Sequence, residues 1–194
     1  MNAAERRVAA ILLAAGSSSR LGQPKQLLPF RRTTLLRLMA TEARAACDDV
    51  VVIVGARADA MREALRGADV AILHNDEWTE GMASSVRLGV AWAAARGASA
   101  LVMVADQPRL DRAHLARLVD AHRNGARIAA SAYAGIVGVP AVFAPDTFVA
   151  LRGLRGDEGA RRVLRSSRDV VAIDWPEGAR DVDVAASLAF VYDE

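Results

Sequence analysis

Short apolar, β-branched runs alternate with stretches of helical period along this chain. Residues 8–13, 50–55, 70–74, 100–105, 127–132, 141–143 and 170–174 read as strands. Most carry apolar side chains on both faces, the pattern of strands buried inside a parallel sheet. Residues 34–46, 58–65, 82–95, 112–124, 157–166 and 184–192 read as helices. Thr34 is a capping residue for the first, with Leu35, Leu38 and Met39 following on one face. Asp111 is placed to cap the fourth. Strand–helix alternation predicts an α/β fold with a mainly parallel sheet. The glycine-rich segments 135–140 and 152–159 break the alternation and read as loops. No internal repeat or low-complexity linker interrupts the pattern.

A length of 194 residues suits one domain spanning 1–194. Such a chain buries roughly 70% of its unfolded surface. Aromatic residues are only 5% of the chain, so stacking platforms for single-stranded nucleic acid are scarce. Net charge is +2 and no dense basic run exists, which argues against a nucleic-acid partner. Cys47 is the only cysteine, so neither an intramolecular disulfide nor a cysteine-based zinc site is possible. His74, His114 and His122 are scattered and read as structural or solvated rather than metal-binding. Arg6-Arg7 before the first apolar run resembles a signal segment, but that run is short and Glu5 precedes it. It reads as a buried strand of a cytoplasmic protein. No apolar stretch approaches the about 20 residues that span a membrane.

In open parallel sheets, ligands sit beyond the carboxyl ends of the strands. Three polar segments fall there: the loop from Ala14 after the first strand, residues 75–81 after the third, and Asp106-Gln107-Pro108 after the fourth. The first, residues 14–22, opens with two alanines and a glycine. Small side chains let successive backbone N–H groups close on a phosphate. Arg20 and Lys25 follow and can neutralise a triphosphate. Lys25 is the one lysine in the chain, against 24 arginines. Lysine is a compact point charge and arginine a planar fork, so its place behind a glycine–serine loop points to phosphate handling. The spacing matches neither the P-loop nor the G-x-G-x-x-G dinucleotide fingerprint.

Asp106 ends a wholly apolar strand, where an unpaired acid would be costly to bury. At a carboxyl end it is placed to hold Mg²⁺ against substrate phosphates. Asp181-Val182-Asp183 is a second acidic pair. In an extended segment only one of its carboxylates faces a site, and either can instead cap the last helix. Residues 75–85, N-D-E-W-T-E-G-M-A-S-S, carry many hydrogen-bonding groups beside a glycine at a helix start. Such a segment suits reading a base edge, or a capped loop over Trp78.

Over nearly its whole length the chain resembles the nucleotidyltransferases that include molybdenum cofactor cytidylyltransferases and the related guanylyltransferases. L-A-A-G-S-S-S-R-L-G-Q-P-K-Q-L-L-P-F, residues 13–30, is similar to that family's signature loop. L-A-A-G there tends to accompany CTP, and L-A-G-G to accompany GTP. N-D-E-W-T-E-G-M-A-S-S-V resembles the cytidine-side segment, A-D-Q-P the magnesium aspartate motif, and G-V-P-A-V-F and G-D-E-G-A-R-R-V-L the acceptor-side loops.

The resemblance implies a Rossmann-like three-layer nucleotidyltransferase fold. It implies that Leu13, Ala14, Ala15, Gly16, Ser17, Arg20 and Lys25 bind the triphosphate. Gly81, Ser84 and Ser85 would lie near the base, with Asn75 in the same segment. Asp106 and Asp183 would hold Mg²⁺, and Arg20, Lys25 and Asp106 would carry catalysis. The implied reaction is CMP transfer from CTP to molybdopterin with release of pyrophosphate, and the implied partner is a molybdoenzyme client. Two departures stand out. Gly138-Val139-Pro140 replaces a frequent G-H-P, and Val184-Ala185-Ala186-Ser187 replaces T-P-E-D after Asp183. The alternatives are the same chemistry on a sugar phosphate or methylerythritol phosphate, and a non-catalytic cofactor carrier.

Overall fold

The computed structural model describes residues 6–16, 24–30 and 32–179. Among them a seven-stranded sheet has the order β5-β4-β1-β6-β8-β7-β9. Its strands are β1 (Val8–Ala14), β4 (Asp49–Val54), β5 (Ala71–His74), β6 (Ser99–Val104), β7 (Ile128–Tyr133), β8 (Ile136–Phe143) and β9 (Val170–Asp174). A separate two-stranded pair joins β2 (Pro29–Phe30) to β3 (Thr33–Thr34). β1 runs parallel to β4 and β6, β4 to β5, and β7 to β9. β8 is antiparallel to both its neighbours.

The helices are α1 (Leu35–Ala46), α2 (Ala58–Ala64), α3 (Met82–Ala94), α4 (Arg112–Arg123), α5 (Phe148–Arg152) and α6 (Ala160–Ser166). Period-two alternation divides the apolar side chains between two cores. Val8, Ala10, Leu12 and Ala14 of β1 pack with α1, α2 and α4, and Ala9, Ile11 and Leu13 with α3, α5 and α6. The result is a three-layer α/β sandwich, as the alternation predicts. Each core Leu or Ile buried in this way is worth ~1.5–3 kcal/mol. α3 lies close against β1: a Cβ on Gly89 would come within 2.2 Å of Ile11 Cγ2.

Both predicted caps form. Thr34 accepts a hydrogen bond from Arg37 N at 3.3 Å, and Asp111 from His114 N at 2.8 Å. Three readings need correction. Residues 135–140 are not a loop: Ala134 and Gly135 make a tight turn at φ 48° and 73°, and the chain returns from it as β8. The following glycine, Gly138, pairs within the strand, where it leaves room for the Tyr133 ring. α6 begins at Ala160 rather than at 157, because the preceding residues bond to the start of α3. The short α5 goes unseen in the sequence, since five residues carry too little periodicity. The expected helix 184–192 lies outside the described residues.

Candidate active site

β1, β5 and β6 end on the same edge of the sheet, so the polar residues that follow them are brought together. They enclose a cleft of about 560 Å³. From the end of β1 and the loop after it come Leu13, Ala15 and Gly16, and from the short 3-10 turn at Lys25–Leu27 come Lys25 and Gln26. β6 contributes Val104, Ala105 and Asp106. The segment leading into α3 contributes Trp78, Thr79, Gly81, Met82 and Ser85, and the loop before α6 contributes Asp157.

Two glycines shape this cleft in different ways. A Cβ on Gly16 would meet no atom of the described residues within 4 Å, which leaves the backbone on this side open to the cleft. Gly81 is crowded and has φ 119°, a conformation that favours glycine. A Cβ on it would fall 2.5 Å from Asp157 Oδ1 and from the Gly156 carbonyl. The close approach is held by hydrogen bonds: Ala83 N donates to Gly156 O at 3.0 Å, and Gly156 N to Glu80 Oε1 at 3.3 Å. Arg87 donates to Glu80 Oε1 at 2.7 Å and to Leu154 O at 3.1 Å. The Arg87 hydrogen bond holds the Glu80 carboxyl down to about 2, with the Gly156 amide acting in the same direction.

Asn75 is 4% exposed and works from behind the cleft. Its amide donates to Ser84 Oγ at 2.8 Å and to Ser85 Oγ at 2.9 Å, and its carbonyl accepts from Glu77 N. The Ser84 hydroxyl donates to Gly81 O at 2.9 Å. Asn75 and Ser84 are therefore positioned to hold Gly81 and Ser85, and Ser85 alone of the three polar side chains lines the cleft. Ala14 faces the α1 side of the sheet while Leu13 faces the cleft, as alternation along β1 requires. Ser17, Arg20 and Asp183 lie outside the described residues.

Gln107, next to Asp106, is 3% exposed and donates to Val139 O at 3.1 Å. Tyr133 OH donates to the same carbonyl at 3.2 Å. This ties the turn after β6 to β8. Neither buried histidine has a metal-like setting. His114 Nδ1 accepts from Arg117, its Nε2 donates to Ser131 Oγ at 2.7 Å, and that hydroxyl donates to Pro140 O. The ring stacks on Trp175 at 4.9 Å. Burial pushes the His114 pKa down to about 4, with Arg117 adding to it. His122 Nδ1 donates to Ala126 O and its Nε2 accepts from Ser99. Its pKa is lowered too, chiefly by burial.

Among the described residues, no three His, Cys, Asp or Glu side chains cluster as a metal cage. Asp106 at a strand end, with Lys25 on the same cleft, instead suits a hard divalent cation that arrives with phosphate oxygens. The resemblance puts Met82 in the cytidine-side segment and Asp157 in an acceptor-side loop, but sequence reasoning gave neither side chain a role in the site. Asp157 lies 51 residues beyond Asp106, and its local signal is the glycine pair, Gly156 and Gly159, around it.

Residues 10–171 match the MobA-like NTP transferase domain. The chain is 34% identical to nicotine blue oxidoreductase of Paenarthrobacter nicotinovorans, covering 93% of this chain and 94% of that protein. It is 33% identical to the purine catabolism protein PucB of Bacillus subtilis, over 81% and 80%. A molybdenum cofactor cytidylyltransferase of Escherichia coli is 32% identical over 41% of this chain and 42% of its own. Among solved structures, the Rv0371c homologue from Mycobacterium sp. strain JC1 superposes with a TM-score of 0.81 at 32% identity, over 98% of both chains. Rv0371c of Mycobacterium tuberculosis in complex with manganese gives 0.78 at 30% identity, over 95% and 97%. A nucleotide-sized cleft at the strand ends and a domain match over most of its length place this chain in the MobA-like NTP transferase family, as a nucleotidyltransferase.

Proposed function

We propose that this chain transfers CMP from CTP to molybdopterin and releases pyrophosphate. The observation that carries the reading is that Lys25, Asp106 and the bare backbone at Gly16 line one cleft. The L-A-A-G start of the loop and the partial match to a molybdenum cofactor cytidylyltransferase support CTP and the pterin acceptor.

In this reading an acceptor phosphate oxygen attacks the α-phosphorus of CTP. The bond to the bridging oxygen breaks in line, and pyrophosphate leaves with the electron pair. Such a transfer needs positioning and charge neutralisation rather than a protein nucleophile. Lys25 neutralises the triphosphate and the departing pyrophosphate, joined by Arg20 from the loop. Gly16 and its neighbours offer backbone amides to phosphate oxygens. Asp106 would hold Mg²⁺, with Asp183 as the further carboxylate. The ion, when bound, stabilises charge building on the phosphate oxygens. Residues 1–194 act as one catalytic unit in the cytoplasm, handing product to a molybdoenzyme.

The test is pyrophosphate release by purified protein with CTP or GTP, with and without molybdopterin. CTP with molybdopterin is expected to give the largest rate. Lys25→Ala and Asp106→Ala should each lower it at least about a hundredfold, the scale of losing one preorganised charge contact. Near-normal turnover in both variants overturns the assignment.

A second reading rests on the match to nicotine blue oxidoreductase: reduction of a planar heterocycle in the same cleft. It predicts consumption of a reduced nicotinamide nucleotide without pyrophosphate. The missing G-x-G-x-x-G fingerprint favours nucleotidyl transfer over it.

A further inference from the structure

Asp157 lines the cleft, yet neither the triphosphate nor the metal requires it. Its Oδ1 sits where a Cβ on Gly81 would lie only 2.5 Å away, so the carboxylate is in contact with the bare backbone at the start of α3. This position is built rather than incidental. The Gly156 carbonyl takes the Ala83 amide, Glu80 takes the Gly156 amide, and Arg87 ties Glu80 to Leu154. Ser85 lies on the same stretch of the cleft. Its oxygen accepts from Asn75, and Asn75 spends its other N–H on Ser84. Ser85 thus keeps its own proton to donate.

A donor and an acceptor therefore flank Gly81, beside the apolar side chains of Trp78 and Met82. An ionised carboxylate only accepts hydrogen bonds, and a hydroxyl with its oxygen already engaged donates. Cytosine offers the complement on one edge: a carbonyl at C2 and an amino group at C4. Uracil has a second carbonyl where cytosine has the amino group, and that oxygen would face the carboxylate.

We propose that Asp157 is a specificity-determining residue that selects the nucleobase, its carboxylate accepting the exocyclic N–H of cytosine while the Ser85 hydroxyl donates to the ring carbonyl. The proposal rests on the cytidylyltransferase reading above. A well-placed polar pair of this kind discriminates between bases by roughly tenfold or more. Asparagine at 157 keeps the shape but adds an N–H that can serve the uracil carbonyl.

The experiment is calorimetric binding of CTP and UTP, with Mg²⁺ and no acceptor, to the full chain and to Asp157→Asn and Ser85→Ala. The wild type is expected to bind CTP at least about tenfold tighter than UTP. Asp157→Asn should bring the two within about threefold of each other, by weakening CTP and strengthening UTP. Ser85→Ala should weaken both alike, because both bases carry the C2 carbonyl. Asp157 is exposed, so matching melting temperatures for Asp157→Asn and wild type show that folding is not the cause. An unchanged CTP-to-UTP ratio in Asp157→Asn overturns the proposal, as does equal weakening of both nucleotides, the outcome for a metal ligand. Equal wild-type affinity for CTP and UTP overturns it while leaving nucleotidyl transfer intact. No wild-type binding of either nucleotide overturns the cytidylyltransferase reading, and this proposal with it.

Discussion

Gly81→Ala is the sharpest test of the cleft geometry. The residue sits at φ 119° and ψ −171°, a region that costs other residues ~1–3 kcal/mol. Its new Cβ would also fall 2.5 Å from Asp157 Oδ1, Gly156 C and Gly156 O. Two of those atoms are backbone and cannot swing aside by changing a rotamer. The cheapest relief moves the segment around Gly156 away from α3. That breaks the hydrogen bonds from Ala83 N and to Glu80, each worth ~1 kcal/mol net. Strain and the lost bonds together predict destabilisation by about 3–5 kcal/mol. Urea unfolding measures it, and CTP calorimetry should show an affinity loss beyond about tenfold, since Asp157 and Ser85 shift with the backbone. Gly97→Ala is the matched control: φ is 62° and nothing lies within 4 Å of its Cβ, so it carries the conformational cost of ~1 kcal/mol alone. If Gly81→Ala is no more destabilising than Gly97→Ala, the crowding argument is wrong.

Gly16→Ala should behave in the opposite way. Stability should stay within about 0.5 kcal/mol, while nucleotide affinity falls at least about tenfold because the methyl stands where phosphate approaches the backbone; unchanged CTP binding would remove the loop from the site. Lys25→Arg should retain less than about a tenth of the wild-type rate of pyrophosphate release, and full activity would show that point-charge geometry is not needed. Stability should fall as pH drops from about 6.5 towards 4. The unfolded histidines take up protons in that window while His114, with its pKa pushed down to about 4, stays neutral in the fold, and His122, lowered by burial, takes up its proton later than in the unfolded chain. The slope is at most ~1.4 kcal/mol per pH unit per histidine. Unfolding curves at about pH 7, 6 and 5 check the sign, and His114→Gln should flatten the dependence.

Much of this molecule can be read from its apolar pattern. Strands buried on both faces announce themselves, and β1, β4 and β6 begin and end within a residue of their predicted bounds. The misread segments are those whose conformation is decided by partners outside their own run of sequence. Residues 136–140 look like a glycine-rich loop, yet they pair with Ser131, Ala132 and Tyr133 across a turn that puts Ala134 at positive φ. The late start of α6 has the same origin. Its preceding residues find hydrogen bonds on Glu80 and Ala83, more than seventy positions away in sequence. Those long-range bonds also bring Asp157 against Gly81, a contact that the motif alone does not reveal. Asn75 shows the converse: a polar residue inside a recognisable motif is spent on holding two serines.

The same physical reasoning explains why the chain keeps one lysine. Two of its arginines are engaged through more than one nitrogen of the fork. Arg44 spans the Asp69 carboxylate and the Cys47 and Asp48 carbonyls. Arg87 joins Glu80 to Leu154 and so shapes the cleft from outside. A planar group with five donors makes such bridges, and a single ammonium cannot. At the cleft the requirement is reversed. In the proposed transfer the triphosphate is cleaved and its charge shifts onto the departing pyrophosphate, so the group beside it must follow several oxygens in turn. A flexible stem ending in three rotatable donors does this, and Lys25 occupies the position on the cleft from which it can.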